Sequence, residues 1–204
     1  PANYTVGATG DLVPGSEDND AEKSRLDSLA ADTKMWVKNQ GWKDAENTFP
    51  ESSQRTKTLH YRQDNVHDFA WFADKRYKVL RGTVVLPRDK RKVRTWAMFT
   101  PEEGELWQKA PEYLHDATYY YSLWNGNYPY NQVTAVDGTI SAGGGMEYPN
   151  VTVIGTAGSD SGLETVIVHE VGHNWFYGIL GSNERENAWM DLSLIHISEP
   201  TRRT

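Results

Sequence analysis

The stretch VIVHEVGHNWFYGIL, Val166 to Leu180, constrains the fold of this 204-residue chain more than any other. His169 and His173 stand four apart with Glu170 between them. On a helix, residues i and i+4 lie on one face, one turn apart. A helix here therefore turns both imidazoles towards one metal ion. Glu170, one position round, reaches a water on such an ion. Zinc lowers the pKa of that water towards neutrality, and the carboxylate takes its proton as it attacks a carbonyl. Val166, Ile167 and Val171 fit the buried side, and Gly172 leaves room for another backbone to come close. Ser161 with Glu164 reads as a capping box and Gly181 as a glycine stop, which gives a helix over about 162–180. Two histidines satisfied in a core would give the same letters. The position mid-helix, behind a cap, argues for the metal.

The rest of the chain divides by hydrophobic period, with no internal repeat. Residues 11–55 are polar, with PGSEDND a loop and AEKSRLDSLAADTKMWVKN a weakly periodic helix on the surface. From Thr56, TLHYRQ, VHDFAWFA, YKVLRGTVVLP and KVRTWAMF alternate with period two, which predicts four antiparallel strands. At Thr100 the period becomes helical. TPEE reads as a capping box on Thr100 and Glu103, and Pro111 should kink or split the helix that follows. A domain boundary is expected there, with residues 1–100 a β unit and 101–191 mixed α/β, making the chain α+β.

Composition narrows the function. The net charge of -7 argues against a nucleic-acid partner, which a basic face would serve. No cysteine is present, so neither a disulfide framework nor a thiolate metal site is available. No apolar run reaches the roughly 18 residues that a membrane span needs. The start at Pro1, without a signal or an initiator Met, reads as a cut inside a longer protein, so the compartment stays open between cytoplasm and periplasm or secretion.

A second stretch, GGGMEYP from Gly143 to Pro149, pairs with the histidine helix. Glycines let a backbone approach closely and leave an edge free to bond an extended peptide. Glu147 beside a hydrolytic zinc would bind a cation, and the free amine of a peptide is the obvious one. His60, His67, His115 and His196 carry no function in this reading; His60 and His67 are taken as polar strand residues.

With GGGMEYP upstream of HEVGH, the chain resembles the gluzincin, or aminopeptidase N-like, zinc aminopeptidases. The likeness extends to PANYTVGATGDL, WNGNYPYNQVTAVDG and GSNERENAWMD, and covers about residues 1–191. It implies the later part of an antiparallel β-saddle domain, followed by the opening of a thermolysin-like catalytic domain. It further implies one zinc, peptide substrates and removal of their N-terminal residues. His169 and His173 would be ligands, Glu170 the general base, Glu147 the amine anchor, and Gly144 and Gly145 the lining for the peptide backbone. Tyr148-Pro149 departs from the usual Asn after the glutamate. A tyrosine that the family uses on the oxyanion lies downstream of the residues present.

The resemblance also exposes a gap. The third ligand of the family is a glutamate after eighteen residues following the second histidine, and that position holds Leu192. Asp191 is turned about 100 degrees away on a helix and is a methylene shorter, so it is not expected to substitute. LSLIHISEPTR, Leu192 to Arg202, is the in-frame translation of a common transposase sequencing adaptor. Residues 192–204 are therefore expected to be a non-native tail, and the chain as written to bind zinc weakly and lack peptidase activity. A thermolysin-like endopeptidase and a catalytically dead peptide-binding or scaffold relative are the alternatives.

Overall fold

One mixed sheet organises the molecule, and it is built from runs on both sides of Thr100. The structure is a computed structural model in which residues 1–46, 48–140 and 143–198 are described. The last part of the expected tail, from Glu199, lies outside them, as do Ser141 and Ala142 of the glycine-rich run. In chain order the elements begin with β1 (Thr5–Ala8), β2 (Asp11–Leu12) and α1 (Glu17–Lys38). Next come β3 (Tyr61–Arg62), β4 (Trp71–Asp74), β5 (Lys78–Val85) and β6 (Lys92–Phe99). Then follow α2 (Gly104–Trp107), α3 (Ala110–Asn125), β7 (Gln132–Asp137), β8 (Gly145–Met146) and β9 (Val151–Ile154). The chain continues through α4 (Asp160–Gly172), α5 (Glu184–Asn187) and α6 (Trp189–Ser198). Mixed helices and open sheets are compatible with the α+β class.

The four expected strands exist but do not form one antiparallel sheet. β4 pairs with β1 and β3 with β2, each as a two-stranded antiparallel ribbon. β5 and β6 instead open a five-stranded sheet of order β5-β6-β7-β9-β8. β6 and β7 run parallel, in register from Arg94 with Gln132 to Met98 with Val136. Strand pairing thus runs straight across residue 100: the change of period marks where helices begin, not where the sheet ends.

Alternation along these strands serves two cores. Leu80, Ala97, Phe99, Ala135 and Ile154 face α3 and α4. Their neighbours Val79, Met98, Val136 and Val153 face Leu26 and Ala30 of α1. A period-two strand buried on both sides is the expected result when helices cover both faces. So α1 is a covering layer and not a surface excursion. It is capped by Ser16, whose hydroxyl accepts from Asn19 N–H at 3.2 Å.

Two expected caps are replaced. The Thr100 hydroxyl and N–H both donate to Asp137 Oδ2, at 2.6 and 3.0 Å, so a short 3-10 turn, Pro101–Glu103, starts without a side-chain cap. Pro111 does divide the helix, and it sits in the first turn of α3, where its missing N–H costs nothing. At α4 the cap is Ser159, accepting from Gly162 N–H at 3.1 Å, so Ser161 is already helical. The helix is regular only to Gly172. A wide turn, Asn174–Ile179, follows and breaks at Phe176 and Tyr177 before Gly181 ends it at φ +62°.

Candidate active site

α4 crosses the edge of the sheet with Leu163, Ile167 and Val171 fully buried beneath it. That spacing of four leaves His169, Glu170 and His173 on the flank above β8. The first turn after His173 is held in place by its neighbours. Asn174 accepts from Asn150 N–H at 3.1 Å, and Trp175 Nε1 donates to Gly126 O at 2.7 Å. Gly172 serves close packing of a side chain and not of a backbone: an added Cβ would come within 2.8 Å of the Tyr121 hydroxyl.

The two histidines aim at one point. Their Nε2 atoms are 3.3 Å apart. Two nitrogens at 2.0–2.1 Å from a tetrahedral zinc would be separated by about 3.3 Å, so the pair has the spacing that this ion needs. His173 is buried and His169 half-buried. Glu170 is buried as well, and its Oε2 has no hydrogen-bond partner among the described residues. Burial, helped by the charge of Glu147, pushes its carboxyl up to about 8. A buried carboxylate oxygen without a donor, beside two converging imidazoles, is a donor set that fits zinc.

The glycine run forms the facing wall. Gly143 and Gly144 have φ of +73° and +70°, a region that side-chain-bearing residues avoid. Gly144 O accepts from Gly155 N–H at 2.7 Å, which fixes the turn onto β9. β8 then lies at the edge of the sheet. A Cβ on Gly145 would fall 2.5 Å from Glu170 Oε1, so the carboxylate rests on bare backbone. Glu147 follows directly, half-buried.

Residues to which the sequence gives no role also converge here. Glu184 shares a hydrogen bond with Glu147, and its carboxyl is raised by burial and by that neighbour. Tyr177 is pushed up to about 12, by burial first and by Glu184 next, and its ring lies 3.9 Å from that of His67. His67 is in a bend and not in a strand. Asp191, buried on α6, places Oδ2 3.9 Å from His173 Nδ1. Glu147, His173 and Asp191 offer ligand atoms that all lie within 4.8 Å of one another. His196 brings its ring to 5.4 Å from that of His169. Leu192 is exposed. Glu184 carries no sequence signal beyond being acidic and downstream of the histidines, whereas Asp191 stands out beside the expected ligand position at 192.

Comparison with known proteins bears on this arrangement. No family model matches the chain, and no curated protein does. Solved structures do. An M1 zinc metallopeptidase from Deinococcus radiodurans is similar over 98% of this chain and 37% of its own, with TM-score 0.58 and 15% identity. A two-domain M1 zinc metallopeptidase bound to L-tryptophan gives TM-score 0.58 at 16% identity, over 98% of this chain and 37% of its own. Aminopeptidase A of Legionella pneumophila, in complex with aspartic acid, gives 0.55 at 13%, over 84% of this chain and 18% of its own. At such identities the likeness establishes the fold. The chain spans less than two fifths of the length of these proteins. Among the described residues no helix is long and apolar enough to cross a membrane.

Proposed function

We propose that the chain is part of a zinc-dependent aminopeptidase that removes N-terminal residues from peptides. The observation that carries this reading is the 3.3 Å approach of His169 and His173 Nε2 beside Glu170, with an edge strand alongside. His169 and His173 would hold zinc, which supplies a Lewis acid for an amide carbonyl and water of lowered pKa. Glu170 would hold and move the proton of the attacking water. The free edge of β8 at Gly144 and Gly145 would take an extended peptide by backbone hydrogen bonds. Glu147, with Glu184 against it, would bind the substrate ammonium. An ammonium-binding carboxylate at that point leaves no room for chain beyond the first residue, which favours an aminopeptidase over an endopeptidase.

The unit boundaries belong to this proposal too: a β-saddle portion over 1–100, a thermolysin-like portion over 101–191, and a tail without function from Leu192. Leu192 gives the ion no oxygen, so the chain as written is expected to hold zinc weakly and to be inactive.

The test starts from an independent read of the source gene through codon 192. A glutamate codon followed by a long open frame is expected. The protein expressed from it should hydrolyse a leucyl anilide and leave the N-acetylated form intact. Equal rates on both would move the reading to an endopeptidase. A leucine codon followed by the same end at 204 would move it to a dead relative.

A further inference from the structure

Asp191 stands on the wrong side of His173 to be a ligand and on the right side to direct one. Its Oδ2 approaches Nδ1 of the ring, while Nε2 faces His169. The two ring nitrogens point in divergent directions, so a carboxylate at Nδ1 cannot share an ion held at Nε2. We infer that Asp191 is a positioning residue that accepts the Nδ1 proton of His173 and so keeps the Nε2 lone pair free for the metal. The inference rests on the zinc reading of the histidine pair.

Three observations carry it. Asp191 is 2% exposed, so its charge has little water to satisfy it. Its Oδ1 has no hydrogen-bond partner among the described residues, and its ion-pair partner is His173. An unpaired buried carboxylate is costly, and a nearby ring N–H relieves that cost. The 3.9 Å gap is longer than a hydrogen bond and within the reach of an ion pair. The tautomer matters because a neutral imidazole has one donor and one acceptor nitrogen. If the proton sat on Nε2, His173 could not bind a metal on the side that His169 faces. A carboxylate on the outer nitrogen fixes both tautomer and ring orientation, and its loss typically costs 10–100-fold in metal affinity.

Glu147 offers the rival arrangement, a cation seated between Glu147, Asp191 and a ring nitrogen of His173. The experiment separates the two. The chain is labelled with 15N-histidine and its ring nitrogens are read by long-range proton–nitrogen NMR, without zinc and with it. Zinc affinity is measured by competition with a chromogenic chelator. Expected without zinc is the Nδ1–H form of His173, with the ion shifting the Nε2 resonance when added. Asp191→Ala should release the ring towards the Nε2–H form and weaken zinc by roughly 10–100-fold. Asp191→Asn, whose amide oxygen can still accept the proton, should recover the tautomer and part of the affinity with little change in melting temperature.

An Nε2–H ring in the unsubstituted protein overturns the inference. So does zinc on Nδ1, or an Asp191→Ala protein with unchanged tautomer and affinity. If no variant takes up zinc while the Asp191-dependent tautomer is present, the missing oxygen ligand at Leu192 accounts for the loss and the Asp191–His173 contact stands by itself.

Discussion

α4 and α1 cover opposite faces of the same sheet, and they are attached by different chemistry. α4 is held by Leu163, Ile167 and Val171, each fully buried. The buried positions of α1 are Asn19, Glu22, Leu26, Ala30 and Thr33, and three of these five are polar. Each polar one has a partner. Asn19 bonds the Val13 and His60 carbonyls and accepts from His60 N–H. Glu22 binds Arg25 and Lys57 at 2.8 and 2.7 Å. Thr33 accepts from Val79 N–H at 3.1 Å. An apolar attachment is indifferent to pH and leaves a flank free for chemistry. A polar attachment fixes its partners with direction, and it titrates.

The sharpest way to break this comparison is to change α4 where the proposed function, and not packing, places a role. On the proposed function, Glu170→Gln in protein made from the re-read gene should lower turnover of an aminoacyl anilide by between about 10² and 10⁴, the range for losing a proton-transfer group. Zinc content and melting temperature should hold, because Gln keeps the shape that rests on Gly145. A protein that keeps its rate would remove Glu170 from the chemistry. One that loses its fold would make Glu170 a structural residue.

Next in size is the packing side of the same helix. Ile167 is fully buried two positions before His169. Ile167→Ala should cost about 4 kcal/mol. In a chain of this length that lowers the melting midpoint by roughly 10 °C. Thermal denaturation followed by circular dichroism checks it. A change under about 1 kcal/mol would mean that α4 is not seated on the sheet as described.

How much was legible follows the same division. The helix that carries HEVGH and its apolar back were readable because apolar spacing leaves a periodic mark. The strands from Lys78 to Phe99 were readable for the same reason, though not their partners. Parallel pairing of β6 with β7 joins residues more than thirty apart, and no local pattern encodes it. The covering role of α1 is not legible because hydrophobic spacing picks out Leu26 and misses the buried polar positions on either side, Asn19, Glu22 and Thr33. Thr100 failed as a cap because a distant carboxylate, Asp137, took its hydroxyl. Glu184 is hidden because its neighbour in space, Glu147, is far away in sequence, and Asp191 is legible only as the neighbour of the expected ligand position, not for its approach to His173.

The polar attachment of α1 makes a prediction that α4 does not share. Burial alone would raise the Glu22 carboxyl, but hydrogen bonds and charge from Arg25 and Lys57 outweigh it and hold it below its ordinary 4.5. A carboxylate depressed in the folded state stabilises the fold above its unfolded value. That contribution fades as the pH falls below about 4.5 and through the folded value. Glu22→Ala should therefore cost about 3 kcal/mol at pH 7, since it strands Lys57 in a largely buried site. The difference from the unsubstituted chain should shrink as the pH falls through that acid window. Urea unfolding at a series of pH values measures it. A difference that stays constant would show that Glu22 acts through packing alone.

The smallest expected effect decides where α4 begins. Ser159 has extended backbone at φ -162°, and its hydroxyl receives the Gly162 N–H, one of the orphan donors of the first turn. Ser159→Ala should cost about 1 kcal/mol, and Ser161→Ala close to nothing. A converse result would move the helix start to the position that the letters SGLE suggest. Either way the consequence reaches the site, because the start fixes the phase of the turns that follow. With Leu163, Ile167 and Val171 seated on the sheet, His169 and His173 fall on the flank beside β8, where their Nε2 atoms meet. The apolar residues hold that phase and the cap only adds to it, so Ser159→Ala should lower the melting midpoint by a few degrees and leave zinc affinity unchanged.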